Sequence, residues 1–143
     1  MAKATKTEIY DVPAGKLYKA IVDYADYPKF VDGMQSVEVI SNNPNGAKVK
    51  FNLNLIKTIS YTINLTHKEN QSVTWTLDTG DMMKINNGSW TLKDLGDGKT
   101  EVTYTIEVEL KGFIPGLGMI EKTLVNTNLP LTLNAFYKRA KTL

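Results

Sequence analysis

The chain contains no cysteine, which excludes a disulfide framework, a thiol nucleophile and thiolate metal ligands. It has one histidine, His67, and zinc sites draw on several His or Cys ligands. Nucleophilic catalysis needs a base beside the nucleophile, and a lone imidazole next to a turn of Lys68, Glu69 and Asn70 reads as a surface group. Arg139 is the only arginine, so bidentate phosphate contacts are scarce. With 17 basic and 15 acidic residues the formal net charge is +2, too balanced to argue for nucleic acid. Long apolar runs are missing as well. Met1, Ala2, Lys3, Ala4, Thr5 and Lys6 lead into no apolar stretch, so neither a signal peptide nor a membrane anchor is expected, and the location predicted is cytoplasmic. No proline- or glycine-rich linker divides the 143 residues. One domain over residues 1–143 is therefore predicted, large enough to bury roughly 68% of its unfolded surface.

What is present is a change of hydrophobic period, twice. A short strand closes at Val12-Pro13, and a helix follows with Leu17, Ala20, Ile21 and Tyr24 at helical spacing. That helix is expected to end where Pro28 biases Tyr27 away from helical backbone, with Asp26 to Val31 forming a further short turn. From Met34 the period becomes two. Val37 and Val39, then Val49, Phe51, Leu53 and Leu55, then Ile59, Tyr61, Ile63 and Leu65, then Val73, Trp75 and Leu77 alternate with polar residues. Turn signals separate these runs at Asn42 to Gly46, Lys68 to Gln71, Thr79 to Asp81 and Gly96 to Gly98. Val102, Tyr104, Ile106, Val108 and Leu110 alternate with Thr103, Thr105, Glu107 and Glu109, a strand wet on one face. From Pro115 to Leu143 the helical period returns, with Leu117, Ile120, Leu124, Leu131 and Ala135 on one stripe and Leu129, Leu133, Phe136, Ala140 and Leu143 beside it. A sheet with one apolar face needs an apolar element across it. The prediction is an α+β fold: a curved antiparallel sheet of about seven strands wrapped round a long C-terminal helix, with two short helices after the first strand.

The opening residues Ile9, Val12, Pro13, Ala14, Asp23, Tyr24, Tyr27, Pro28 and Phe30 resemble the start of the START-like, helix-grip superfamily (SRPBCC), in particular its polyketide cyclase-like and coenzyme Q-binding branch. Ala135, Phe136, Tyr137, Lys138, Arg139 and Ala140 look like the family's terminal segment. The resemblance implies the helix-grip fold and the carriage or sensing of hydrophobic molecules. No cofactor is expected.

A twisted sheet round one helix leaves a gap that side chains do not easily fill, and apolar gaps are the default small-molecule sites. Tyr61, Trp75, Trp90 and Tyr104 occupy inward strand positions, where Tyr and Trp can orient a ligand head group or simply pack. Asn86, Asn87, Gly88 and Ser89 interrupt an alternating strand. An extra residue there reads as a bulge that turns the Asn87 amide towards the cavity, or as a purely structural feature. The family usually carries one residue fewer here and an acidic residue before this glycine, where this chain has Asn87. On the last helix Ile120, Leu124, Asn128 and Leu131 face the same gap. Pro130 removes a backbone donor and predicts a kink, so Asn128 either touches ligand or repairs the kink. Phe113, Ile114 and Leu117, in a glycine-containing apolar connection, are candidate portal residues with possible transient membrane contact, or core. No catalytic or metal residues are assigned. Asp23, Asp26 and Asp32 read as solvated or capping groups. Lys138, Arg139 and Lys141 read as last-turn charge.

Three functions are weighed. Binding or carriage of a hydrophobic small molecule, such as a lipid or an isoprenoid quinone, leads, because the inward face is apolar and lacks a convergent acid-base pair. A polyketide cyclase- or dehydratase-like enzyme would need an activated group inside. A ribosome-associated binding module of the same superfamily is the third, and the weak net charge argues against it.

Overall fold

The computed structural model describes residues 2–54, 58–112 and 115–143. Leu55, Phe113 and Ile114, named above, lie outside the described residues. Strand β1 (Ala2–Tyr10) is followed by helix α1 (Ala14–Val22), a 3-10 turn (Tyr24–Asp26) and helix α2 (Tyr27–Phe30). Strands β2 (Met34–Asn43), β3 (Gly46–Asn54), β4 (Thr58–Lys68), β5 (Ser72–Gly80), β6 (Met83–Gly96) and β7 (Lys99–Leu110) come next. The chain ends in α3 (Leu117–Lys122), a π-turn (Thr123–Thr127) and α4 (Asn128–Lys141). The described strands form one seven-stranded sheet in the order β1-β7-β6-β5-β4-β3-β2. Every neighbouring pair is antiparallel.

Alternation decides which face meets the helices. Along β3 and β7 buried and partly exposed residues largely take turns, so Val49, Phe51, Val102 and Tyr104 enter the core. On the opposite, wet face Thr5 and Thr105 hydroxyls lie 3.2 Å apart, and those of Thr7 and Thr103 lie 3.1 Å apart. Such cross-strand pairs stabilise a ladder without apolar burial. The edge strand β2 keeps the alternation least, with Val39 and Ile40 exposed and register shifts at Met34/Ser36 and Val39/Ser41.

One local expectation needs correction. Tyr27 is helical, with φ −51° and ψ −42°, and Pro28 sits in the first turn of α2. Proline there costs nothing, since the first-turn N–H has no intrahelical partner; α1 has already ended at Val22. The long C-terminal helix is present and changes winding along its length. The N–H of Asn128 reaches back to the carbonyl of Thr123, one residue further than an α-helix allows, and this π-turn stands just before Pro130. The expected break at Pro130 is thus absorbed upstream, as a change of helical winding.

Helix α4 lies against the sheet and α1. The hydroxyl of Tyr10 donates to the carbonyl of Leu133 at 2.9 Å, and the Tyr10 and Tyr137 rings stack at 4.3 Å. Arg139 donates to Asp26 at 2.8 Å and lies over the Phe30 ring, fastening the end of α4 to α2. The charged end of α4 is therefore partly structural.

Candidate functional site

Between the sheet and α4 lies a cavity of about 130 Å³. Its walls are mainly aromatic and aliphatic, and Tyr61, Trp75, Trp90 and Tyr104 all line it. Strand alternation places the four rings on one sheet face, and their spacing makes a single wall. Trp90 and Tyr104 are 4.6 Å apart, Trp75 and Tyr104 5.8 Å, and Phe136 from α4 meets Trp90 at 5.0 Å. Offset and edge contacts of this kind hold aromatic rings in place.

Polar groups are few and ordered. Trp75 donates from Nε1 to Oδ1 of Asn86 at 2.9 Å. This bond orients the amide, so its Nδ2 faces the sulfur of Met83 at 3.5 Å. Burial pushes the Tyr61 phenol up to about 12, partly opposed by the nearby Asn86 amide. Burial pushes Tyr104 up further, reinforced by the neighbouring Tyr61. Both phenols are neutral donors at physiological pH, not bases. Among the described residues no hydrogen bond engages the side chain of Asn128, which lines the cavity from α4.

Leu124 and Asn128 line the cavity. Four other sequence-derived positions do not. Asn87 is exposed on the outer face, because the bulge lies elsewhere: β6 shifts register against β7 between Met83 and Ile85 and runs regularly from Asn86 to Asp94. Unbroken alternation from Trp90 makes Asn86 the inward amide, 5% exposed. Leu131 is 52% exposed and lines an outer groove instead, since the π-turn rotates α4 relative to the stripe drawn through α3. Ile120 is buried in a separate cluster with Ile59, Met83, Val108, Leu110 and Val125, and Leu117 packs against that cluster, not into the cavity. The exposed residue that touches the cavity is Asp32, at its mouth, and Asp32 also borders the outer groove formed with Phe30, Leu131 and Lys138.

The surface reading of His67 fails. The ring is 7% exposed, with Nδ1 3.0 Å from the carbonyl of Asn43 and Nε2 2.8 Å from the hydroxyl of Tyr24. A carbonyl can only accept, so Nδ1 carries the proton and Nε2 accepts from Tyr24, itself a cavity-wall residue. Burial lowers the histidine's pKa, partly opposed by the Asn43 contact. The apolar alternation Ile63, Leu65, His67 along β4 was the signal that placed His67 inward. Among the described residues no cluster of three or more His, Cys, Asp or Glu stands ready to hold a metal. No described helix is long and apolar enough to cross a membrane.

Residues 10–137 match the family model described as polyketide cyclase/dehydrase and lipid transport. A search of curated protein sequences gives no match. Among solved structures, a START superfamily protein from Mycobacterium smegmatis superposes with a TM-score of 0.82 at 17% identity, over 98% of this chain and 97% of that one. A Streptomyces aromatase/cyclase gives 0.84 at 15% identity, over 98% and 93%. A STAR-related lipid transfer protein from Xanthomonas axonopodis gives 0.76 at 14% identity, over 97% and 85%. At these identities the likeness is one of fold.

Proposed function

Because the chain belongs to the polyketide cyclase/dehydrase and lipid-transport family, we propose that it binds and carries an apolar small molecule in the cavity between sheet and α4, as a cytoplasmic protein. The single observation behind this reading is the cavity itself: a space of about 130 Å³ with Trp75, Trp90, Tyr61 and Tyr104 on one side and Leu124 and Asn128 on the other. An occupant would be held by burial of its apolar surface, at roughly 25 cal/mol per Å². Tyr104 and Asn128 would orient it through hydrogen bonds. Ligand pockets typically measure about 300–1,000 Å³, so a long isoprenoid quinone or lipid would have to open the mouth or leave its tail in the outer groove.

Trp75 and Trp90 are the only tryptophans of the chain, and both line the cavity, so intrinsic fluorescence reports its occupancy directly. Titration with a short-chain quinone should give saturable quenching, and a polar metabolite of matched size should give none. Unchanged emission with every apolar compound would overturn the reading.

A cyclase- or dehydrase-like activity is the second reading, and the convergence of Tyr61 and Asn86 favours it. Neutral phenols and an oriented amide can hold a carbonyl chain in a reactive fold by positioning it. Phenols held protonated do not supply a general base, so such an enzyme would act by orientation. Turnover of a polyketide substrate that survives in wild type and is abolished in Tyr61→Phe would establish this reading over simple carriage.

A further inference from the structure

We infer that Asp32 sets the charge preference of the cavity: for one apolar body, an ammonium head is favoured, an uncharged head tolerated and a carboxylate rejected. The inference rests on the cavity being the ligand site. Its first support is how the lip is built. Met34 donates its backbone N–H to the carbonyl of Val31 at 3.2 Å, and Asn54 donates to the carbonyl of Gly33 at 2.6 Å. Gly33 closes this turn at φ 82°, a left-handed value that glycine takes without strain. The turn holds Asp32 at the boundary between the cavity and the outer groove.

The second support is the lack of compensation. Asp26, at the neighbouring turn, binds both Arg139 and Lys29. Among the described residues the Asp32 carboxylate has no ion pair and no hydrogen bond. Among the described residues no lysine, arginine or histidine lines the cavity. Lys138 and Arg139 border only the outer groove, and Arg139 is committed to Asp26. His67 stands behind Tyr24 with both ring nitrogens engaged.

A ligand whose apolar body enters between the rings and whose polar end remains at the mouth therefore meets one uncompensated negative charge. An ammonium gains a partner there. A carboxylate would lose water and find no cation among the described residues. Size narrows the class further. A cavity of about 150 Å³ accepts benzene, so about 130 Å³ takes a body of roughly one ring.

The test uses three probes with one body: 2-phenylethylamine, 2-phenylethanol and phenylacetate, each titrated at neutral pH with tryptophan fluorescence as readout. The amine should bind tightest, and phenylacetate at least about tenfold more weakly than the amine, a readily resolved difference in affinity. Asp32→Asn should level the amine and the alcohol, and Asp32→Lys should invert the order. Asp32 is exposed and unpartnered, so both variants should melt with wild type, which thermal unfolding checks. Phenylacetate binding as tightly as the amine to wild type, or an order unchanged in Asp32→Asn, overturns the inference and leaves apolar carriage standing. Failure of all three probes and of the quinone overturns both.

Discussion

The indole N–H of Trp75 donates to the side-chain oxygen of Asn86 at 2.9 Å, across the point where the backbone ladder between β5 and β6 stops at Trp75 and Gly88. A side-chain bond thus continues the junction where main-chain bonds end. Asn86→Leu should leave the buried indole N–H without a partner, at a cost of about 1–3 kcal/mol. Urea unfolding measures this. Combining it with Trp75→Phe should recover part of the loss, because the orphaned donor is then gone. Independent, additive losses would show that the pair is not coupled.

The Trp75 ring lies close against the backbone at Gly88. A Cβ built there would lie 2.2 Å from Cζ2 of Trp75 and 2.5 Å from the carbonyl oxygen of Thr105. Gly88→Ala should therefore cost about 1–3 kcal/mol as overpacking and shift tryptophan emission. Gly118→Ala is the control. It lies in α3 with nothing within 4 Å of its Cβ position, and should stabilise by about 0.5–1 kcal/mol. Equal effects at the two sites would contradict the packing described.

His67 makes stability fall in mild acid. Burial lowers its pKa in the folded state, so the unfolded chain, titrating near the ordinary value of about 6.5, binds the proton more readily. The neutral ring's contribution is complete above about pH 6.5 and is lost as pH falls below it. Protonation also turns Nε2 into a donor, so the Tyr24 hydroxyl must cease donating and accept. His67→Gln should flatten the pH dependence of the urea midpoint across this window relative to wild type. A slope that persists unchanged in the variant would assign it to other groups.

The buried phenols act at the alkaline end. Tyr61 is raised to about 12, and Tyr104 and Tyr27 lie higher still, all chiefly through burial. The unfolded chain releases these protons from about pH 10. Stability is therefore present below pH 10 and declines as pH rises above it. An absorbance titration of the phenolates should show only part of the chain's tyrosines ionising near pH 10, with the rest appearing on unfolding. Complete ionisation near pH 10 in folded protein would mean the cavity wall is solvated.

Much of this molecule is determined by the sequence alone. Strict alternation in β7 decides that Tyr104 and Val102 share a face, because a strand has no other way to place successive side chains. The return to helical period after Leu110 decides that an apolar helix crosses that face. The absence of cysteine and the single histidine decide which chemistries are closed. Tertiary structure decides the rest, wherever one extra residue or one wider helical turn resets the phase. The register shift before Ile85 makes Asn86, not Asn87, the inward amide, because a single-residue slip exchanges faces. The π-turn ahead of Asn128 takes Leu131 out of the stripe that Leu124 belongs to, because the winding changes between them. His67 and Tyr24 are far apart in the chain and meet only when α1 and its following turn close over the end of β4. The mouth at Asp32 likewise exists only because the turn after α2 is laid against the groove beside α4, a juxtaposition of distant segments that no local pattern encodes.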